Sequence, residues 1–262
     1  MIMGASHITL GCDDVEAAIE RLAGYGYRTD FVDRGVINNP SKHSFLSAPS
    51  ELHGIALLRS DHGFPIELIC YEQPMPDRFG RYVGVFECAL AGAEAIDPDA
   101  GVASLPEPLA SRWRPGTIAG LDAPAFFVKD ATTSSGLTQV VLPVGDIIQA
   151  QRLWCGALGF KLQREGAGWA ELQFVSPVAA WRLRMLLVAA PPADMQSVLD
   201  AKGMACLSFL SSNLSQDLTR LVASGATVAT DVFSITINGK KMMVAILATP
   251  EGAFVELLQI VR

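Results

Sequence analysis

Three stretches of this chain share one pattern of apolar and polar positions. The first opens His7-Ile-Thr-Leu-Gly-Cys-Asp-Asp-Val15, the second Gln139-Val-Val-Leu-Pro-Val-Gly-Asp-Ile147, and the third Cys206-Leu-Ser-Phe-Leu-Ser-Ser-Asn-Leu214. Each is a short run of β-formers with Asp or Asn seven residues after its first position. Such a run predicts a buried strand. The short polar side chain that follows (Asp14, Asp146, Asn213) predicts a helix N-cap, because its oxygen can accept from the free amides of the first turn. A helical apolar face comes next: Ile19, Leu22 and Ala23; Ile148, Leu153 and Gly156; Leu218, Leu221 and Val222. Gly24, Gly159 and Gly225 then offer the left-handed residue that ends helices.

Further strands follow each helix. They are expected at about 26–32, 53–60 and 65–71, at about 160–164, 169–175 and 181–189, and at about 226–233, 241–248 and 253–260. The repeat is therefore strand, helix, three strands. The segment at about 74–135 is rich in proline but has strand-like pieces at Tyr82–Leu90 and Ala125–Lys129. It reads as a degenerate unit without its helix, or as a bridge. The small polar stretch Asp130–Gly136 is the best linker. The fold class expected is α+β, with tandem βαβββ modules forming curved, partly closed mixed sheets around a cavity. The expected division is an N-terminal half, residues 1–130, and a C-terminal half, residues 131–262.

Composition narrows the function. Of 262 residues, half are apolar and 18% charged, with a net charge of −7. This is not a disordered composition. The charge gives neither a basic nucleic-acid footprint nor a polybasic membrane patch. No apolar run approaches the ~20 residues of a spanning helix, and the opening residues do not read as a signal peptide. A small-molecule substrate or ligand is the partner expected. Five widely spaced cysteines without a CxxC argue for reduced thiols in a cytoplasmic protein. The apolar richness allows a homodimer.

Two glutamates stand out. Pro65-Ile-Glu-Leu-Ile69 and Ala253-Phe-Val-Glu-Leu-Leu258 each set a lone carboxylate in an apolar strand. Burying such a group is costly unless it is paired, protonated or bound to metal. All four histidines lie in the first 62 residues. Of these, His7 sits on a strand, while His43, His53 and His62 are expected at loops or strand edges on the surface. Trp181 could contribute an aromatic wall for an organic ligand.

A βαβββ unit in tandem, opening on His7 and closing on Glu67 or on Thr249-Pro-Glu-Gly-Ala-Phe-Val-Glu256, resembles the vicinal oxygen chelate superfamily. That group includes glyoxalase I, methylmalonyl-CoA epimerase, fosfomycin and bleomycin resistance proteins, and extradiol dioxygenases. The resemblance covers about 200 of the 262 residues. It implies that His7, Glu67, Gln139 and Glu256 are metal ligands, with a divalent ion such as Zn, Ni, Mn or Fe as cofactor. It also implies a lyase, isomerase or dioxygenase acting on a small oxygenated substrate. Glu256 is alternatively a general base. Arg184 and Cys206 fall where a second pair of ligands would stand if the last two units paired, and with Trp181 they are the substrate-contact candidates. A cation at Arg184 opposes metal binding there. The alternative is a metal-free binding protein similar to the bleomycin resistance proteins.

Overall fold

The computed structural model describes residues 1–87, 105, 110–118, 120, 121, 123–129, 131, 132, 135–176, 182–191 and 197–261. The first module comprises β1 (Ile2–Gly11), α1 (Val15–Ala23), β2 (Arg28–Ile37), β3 (Leu52–Arg59) and β4 (Ile66–Tyr71). A short 3-10 segment, Pro40–Phe45, lies between β2 and β3. The proline-rich region contributes β5 (Val83–Glu87), β6 (Trp113–Ile118) and β7 (Ala123–Val128). The next module runs β8 (Gly136–Val144), α2 (Ile147–Gln151), a π-helical turn Arg152–Ala157, β9 (Lys161–Gly166), β10 (Trp169–Val175) and β11 (Arg182–Ala189). The last runs β12 (Gly203–Ser211), α3 (Leu214–Ala223), β13 (Thr227–Val228), β14 (Phe233–Ile237), β15 (Lys240–Ala248) and β16 (Phe254–Ile260).

The expected α+β architecture is present, as two curved mixed sheets. One has the order β13-β15-β16-β12-β1-β4-β3-β2, with β14 on β15; the other has the order β6-β7-β5-β8-β11-β10-β9. The pairing that joins modules is antiparallel β1 with β12, placing His7 opposite Ser208 and Thr9 opposite Cys206. The first and last modules therefore share a sheet, and the two inner ones share the other. Strands β1–β4 and β12–β16 thus lie in one sheet and β5–β11 in the other.

Strand alternation sets the two faces of the nine-stranded sheet. Ile8, Leu10, Leu58, Ile66, Leu68, Leu207, Phe209, Val255 and Leu257 enter the main core with the helices. The intervening positions line a cavity on the other face. The sheet curls until β14 packs against β2. There the Asn238-Gly239 turn, with both φ values positive, ties back through Asn238 N–H donating to Asp33 at 3.2 Å.

All three helix caps form as the pattern requires. Asp14 accepts from Ala17 N, Asp146 from Ile148 N and Gln149 N, and Asn213 from Gln216 N. The buried faces differ from those expected. In α1 they are Val15, Ala18 and Leu22; in α3 they are Leu214, Asp217 and Leu221. Both stripes start at the first helical residue. In the second module the π turn buries Leu153, Trp154 and Ala157 and leaves Ile148 outside. Gly24 is right-handed, and the left-handed residue after α1 is Gly26, with φ 85°. The expected strand at 226–233 divides into β13 and β14, and β6 had no expectation. The degenerate unit's missing helix is a reading that falls largely on residues 88–109, nearly all of them outside those described.

Tyr27 bridges the sheets: its hydroxyl donates to Phe64 O at 2.7 Å and accepts from Leu137 N at 3.0 Å. Tyr27→Phe leaves a buried amide without its partner and is expected to cost about 1–3 kcal/mol of unfolding free energy, measured by denaturant titration.

Candidate functional site

Three of the four ligand candidates converge. His7 is on β1, Glu67 on β4 and Glu256 on β16, and all three line one cavity of about 150 Å³. β1 and β4 run parallel with Thr9 opposite Glu67, and β12 and β16 run parallel with Ser208 opposite Glu256. The two glutamates are thus brought in by equivalent strands of the first and last modules. His7 Nε2 lies 3.4 Å from Glu67 Oε2 and 3.7 Å from Glu256 Oε2. Each carboxylate has its own hydroxyl: Thr9 Oγ1 donates to Glu67 at 3.3 Å and Ser208 Oγ to Glu256 at 2.6 Å.

Gln139 does not join them. It is buried on β8 in the second sheet, in register with Arg184 of β11 and Val85 of β5. The adjacent-module pairing that would have used it does not occur, because β12 pairs with β1. Arg184 lines a separate cleft with Arg182, Gln173 and His62, away from the glutamates. Cys206 does line the glutamate cavity. Trp181 lies outside the described residues.

Two residues of the cavity carried no sequence expectation as site residues. Lys42, from the 3-10 segment, is only 6% exposed, and His53 of β3 only 2%. His53 shares its strand face with Ile55 and Leu57, which also line the cavity. That alternation was legible, and the expectation of a surface histidine is corrected by it. Lys42 sits in a polar loop whose sequence gives no sign of burial. The loop is held inward by Asp200, which accepts from Ser47 N at 2.9 and 3.0 Å, and by Leu199 N donating to Phe45 O at 2.7 Å.

The charges interact strongly. Burial pulls His7 down, but the Glu67 carboxylate, joined by Glu256, more than offsets it, so His7 is raised above the ordinary imidazole value. Burial pushes Glu67 up, yet His7, Lys42 and the Thr9 hydrogen bond hold it below the usual carboxylate range. Glu256 is raised, first by burial and then by the Glu67 charge. Burial lowers Lys42 against the pull of Glu256 and Glu67. With both carboxylates ionised and His7 and Lys42 protonated, these four charges cancel, and the exposed Lys240 is the other charged residue of the lining.

The site also has the donor types for a divalent ion. Ser6 Oγ lies 3.1 Å from His7 Nδ1; with Nδ1–H donating to it, Nε2 presents a lone pair to the carboxylates. Nε2 is a buried polar atom without a hydrogen-bond partner. Donors about 2.1 Å from one ion at tetrahedral angles lie about 3.4 Å apart, close to the spacing of His7 from each carboxylate. As placed, no group of three or more His, Cys, Asp or Glu among the described residues is arranged to hold an ion.

Comparison with known proteins bears on this arrangement through the fold. No protein-family model and no curated protein matches the sequence. Solved structures do. A variant of glyoxalase I from Zea mays aligns over 97% of this chain and 92% of its own, with 14% identity and a TM-score of 0.61. Glyoxalase I from the same plant gives 14% identity, 97% and 92% coverage and a TM-score of 0.59. A candidate dioxygenase from Bacillus subtilis gives 13% identity, 98% and 85% coverage and a TM-score of 0.57.

This is the vicinal oxygen chelate fold.

Within the vicinal oxygen chelate fold, this chain sets its charged group on the sheet shared by the first and last modules. In its other sheet the positions equivalent to Thr9 and Glu67 are Val141 and Leu186, with Gln139 in register with Arg184. No helix among the described residues is long and apolar enough to cross a membrane.

The His7–Glu67 interaction has a direct signature. The stability it contributes is present at pH values between the ordinary carboxylate and imidazole values. It is lost as pH falls through the lowered Glu67 value or rises through the raised His7 value. In Glu67→Gln the carboxylate that raises His7 is gone and burial remains, so the His7 titration followed by NMR is expected to move to lower pH. An unmoved titration would show that the pair does not form.

Proposed function

We propose that this protein is a divalent-metal-dependent enzyme acting on a small oxygenated organic substrate, as a lyase, isomerase or dioxygenase. The observation that carries the reading is His7 Nε2 facing the buried Glu67 and half-buried Glu256 carboxylates in one cavity. The names of the structural neighbours, glyoxalase I and a candidate dioxygenase, support it. His7 and Glu67 would hold the ion with Glu256 as third donor, which leaves positions open toward the cavity. A bound ion of this kind supplies Lewis acidity toward a carbonyl oxygen.

The chain's own residues do the rest. Apolar side chains from β14 and β15, including Phe233, Ile235, Met242 and Val244, exclude water around the body of a ligand. Thr9 and Ser208 fix the two carboxylates by donating to them. Glu256 is alternatively the base rather than a donor to the ion, because its proton affinity is raised where that of Glu67 is lowered. In that role it would take a proton from a carbon next to a carbonyl.

A second reading is favoured by Lys42. Its buried ammonium already balances the carboxylates in part, and a metal-free binding protein would need no more than this. We further propose cytoplasmic residence and leave a homodimer as the oligomer to look for.

Metal content separates the two readings. Protein purified without a histidine tag is expected to retain or take up close to one equivalent of Ni, Mn, Zn or Fe(II) by mass spectrometry. At an ion concentration 100-fold above Kd the stabilisation would be about 2.7 kcal/mol. His7→Gln and Glu67→Gln are expected to lose both effects. Less than about a tenth of an equivalent, with no thermal shift, would remove the metal-dependent reading.

A further inference from the structure

The charged trio does not account for the other polar groups of the same cavity. His53 is 2% exposed, and neither Nδ1 nor Nε2 has a hydrogen-bond partner. A buried polar group without a partner costs roughly 1–3 kcal/mol, and both nitrogens of one ring share this condition. His53 stacks against Tyr71, its cross-strand neighbour, at 5.6 Å between ring centroids. Lys42 Nζ lies 6.0 Å from the centroid of the same Tyr71 ring. Among the described residues, Nζ makes no hydrogen bond or ion pair. A cation without a hydrogen bond or ion pair among the described residues and a buried imidazole with neither nitrogen bonded thus share one aromatic platform and one cavity.

We propose that Lys42 and His53 form an anion subsite that takes the carboxylate of a small substrate with an apolar body. The proposal rests on the reading that this cavity is the substrate site, and it names the substrate class. A carboxylate oxygen accepts from the Lys42 ammonium, and the other accepts from a His53 N–H. The ammonium and one orphaned nitrogen of His53 are then paired in one step.

Charge counting points to a single negative charge. A divalent ion on neutral His7 cancels the Glu67 and Glu256 carboxylates, which leaves the Lys42 charge buried and uncompensated. A buried lone charge is costly, so the loaded site favours a ligand that brings one negative charge with it. A dianion such as phosphate overshoots. Size agrees: a cavity of about 150 Å³ accepts a group the size of benzene. The walls beyond the charged groups are Phe31, Ile55, Leu57 and Phe233. They suit the apolar body, while Asn238 and the exposed Lys240 stand elsewhere in the lining.

Burial and the nearby Lys42 charge lower His53 to about 2, so it is neutral before the anion arrives. A neutral imidazole donates one N–H without adding a second buried charge.

The experiment compares benzoate with benzamide, which has the same shape without the charge. Binding is measured by calorimetry on the full chain, with and without Mn²⁺, in the wild type, Lys42→Met and His53→Gln. The expected result is at least tenfold tighter binding of benzoate than of benzamide to the wild type. In Lys42→Met benzoate should lose at least tenfold while benzamide changes by less than threefold. His53→Gln should show a smaller loss in the same direction. Should Lys42→Met not fold, the wild-type ratio and His53→Gln decide the matter. Equal binding of the two probes by the wild type, or an unchanged benzoate preference in both variants, overturns the subsite. The two proposals fail separately. A benzoate preference in protein that takes up no metal keeps the subsite and overturns metal dependence. Metal uptake without that preference does the reverse.

Discussion

Two glutamates that face one histidine in a largely apolar cavity, Glu67 buried and Glu256 half-buried, repel each other and lose hydration, so the structure around them must supply positive charge and donors. That requirement organises this molecule. Glu67 and Glu256 lie on strands far apart in sequence, and the antiparallel pairing of β1 with β12 is what brings them to the same histidine. Without it each carboxylate would belong to a separate half-sheet, with no common partner. The hydroxyls of Thr9 and Ser208 repeat the same solution in the two modules. Position 7 breaks the symmetry: its equivalent in the last module is Cys206, so one module brings an imidazole and the other a thiol.

The same constraint explains the 3-10 segment. Lys42 would be expected in solvent, and holding it inside costs hydration. Asp200 fastens the loop from outside, and the ring of Phe45 packs on Phe254, so the loop covers the cavity and delivers the ammonium at the same time. The polar groups of the cavity then fall into two interacting sets. One holds the trio, in which His7 is raised, Glu67 lowered and Glu256 raised. The other holds Lys42, His53 and Tyr71. A ligand spanning the two would meet Lewis acid or base chemistry at one end and a fixed positive charge at the other.

Much of the fold was legible because it rests on local signals. Strand runs followed by Asp14, Asp146 and Asn213 mark the three helix starts, and each of these side chains caps as expected. His7, Glu67 and Glu256 were legible for a related reason: a polar side chain alone in an apolar strand must have a use. The pairing of modules was not legible. Sequence neighbours are the natural partners, and that expectation put Gln139 and Arg184 in the wrong company; which strand edges meet is decided by long-range packing. Lys42 was illegible because its burial comes from contacts with residues 199 and 200, while His53 was readable from its phase with Ile55 and Leu57.

The account depends on the first and last modules placing their charged side chains in one interacting group. A double-mutant cycle on unfolding free energy with His7→Gln and Glu256→Gln tests this directly, since these residues meet only if β1 pairs with β12. Side chains in one network are expected to be non-additive by about 0.5 kcal/mol or more. Additive effects in folded variants would mean that the two side chains do not meet, and the site as described would not exist.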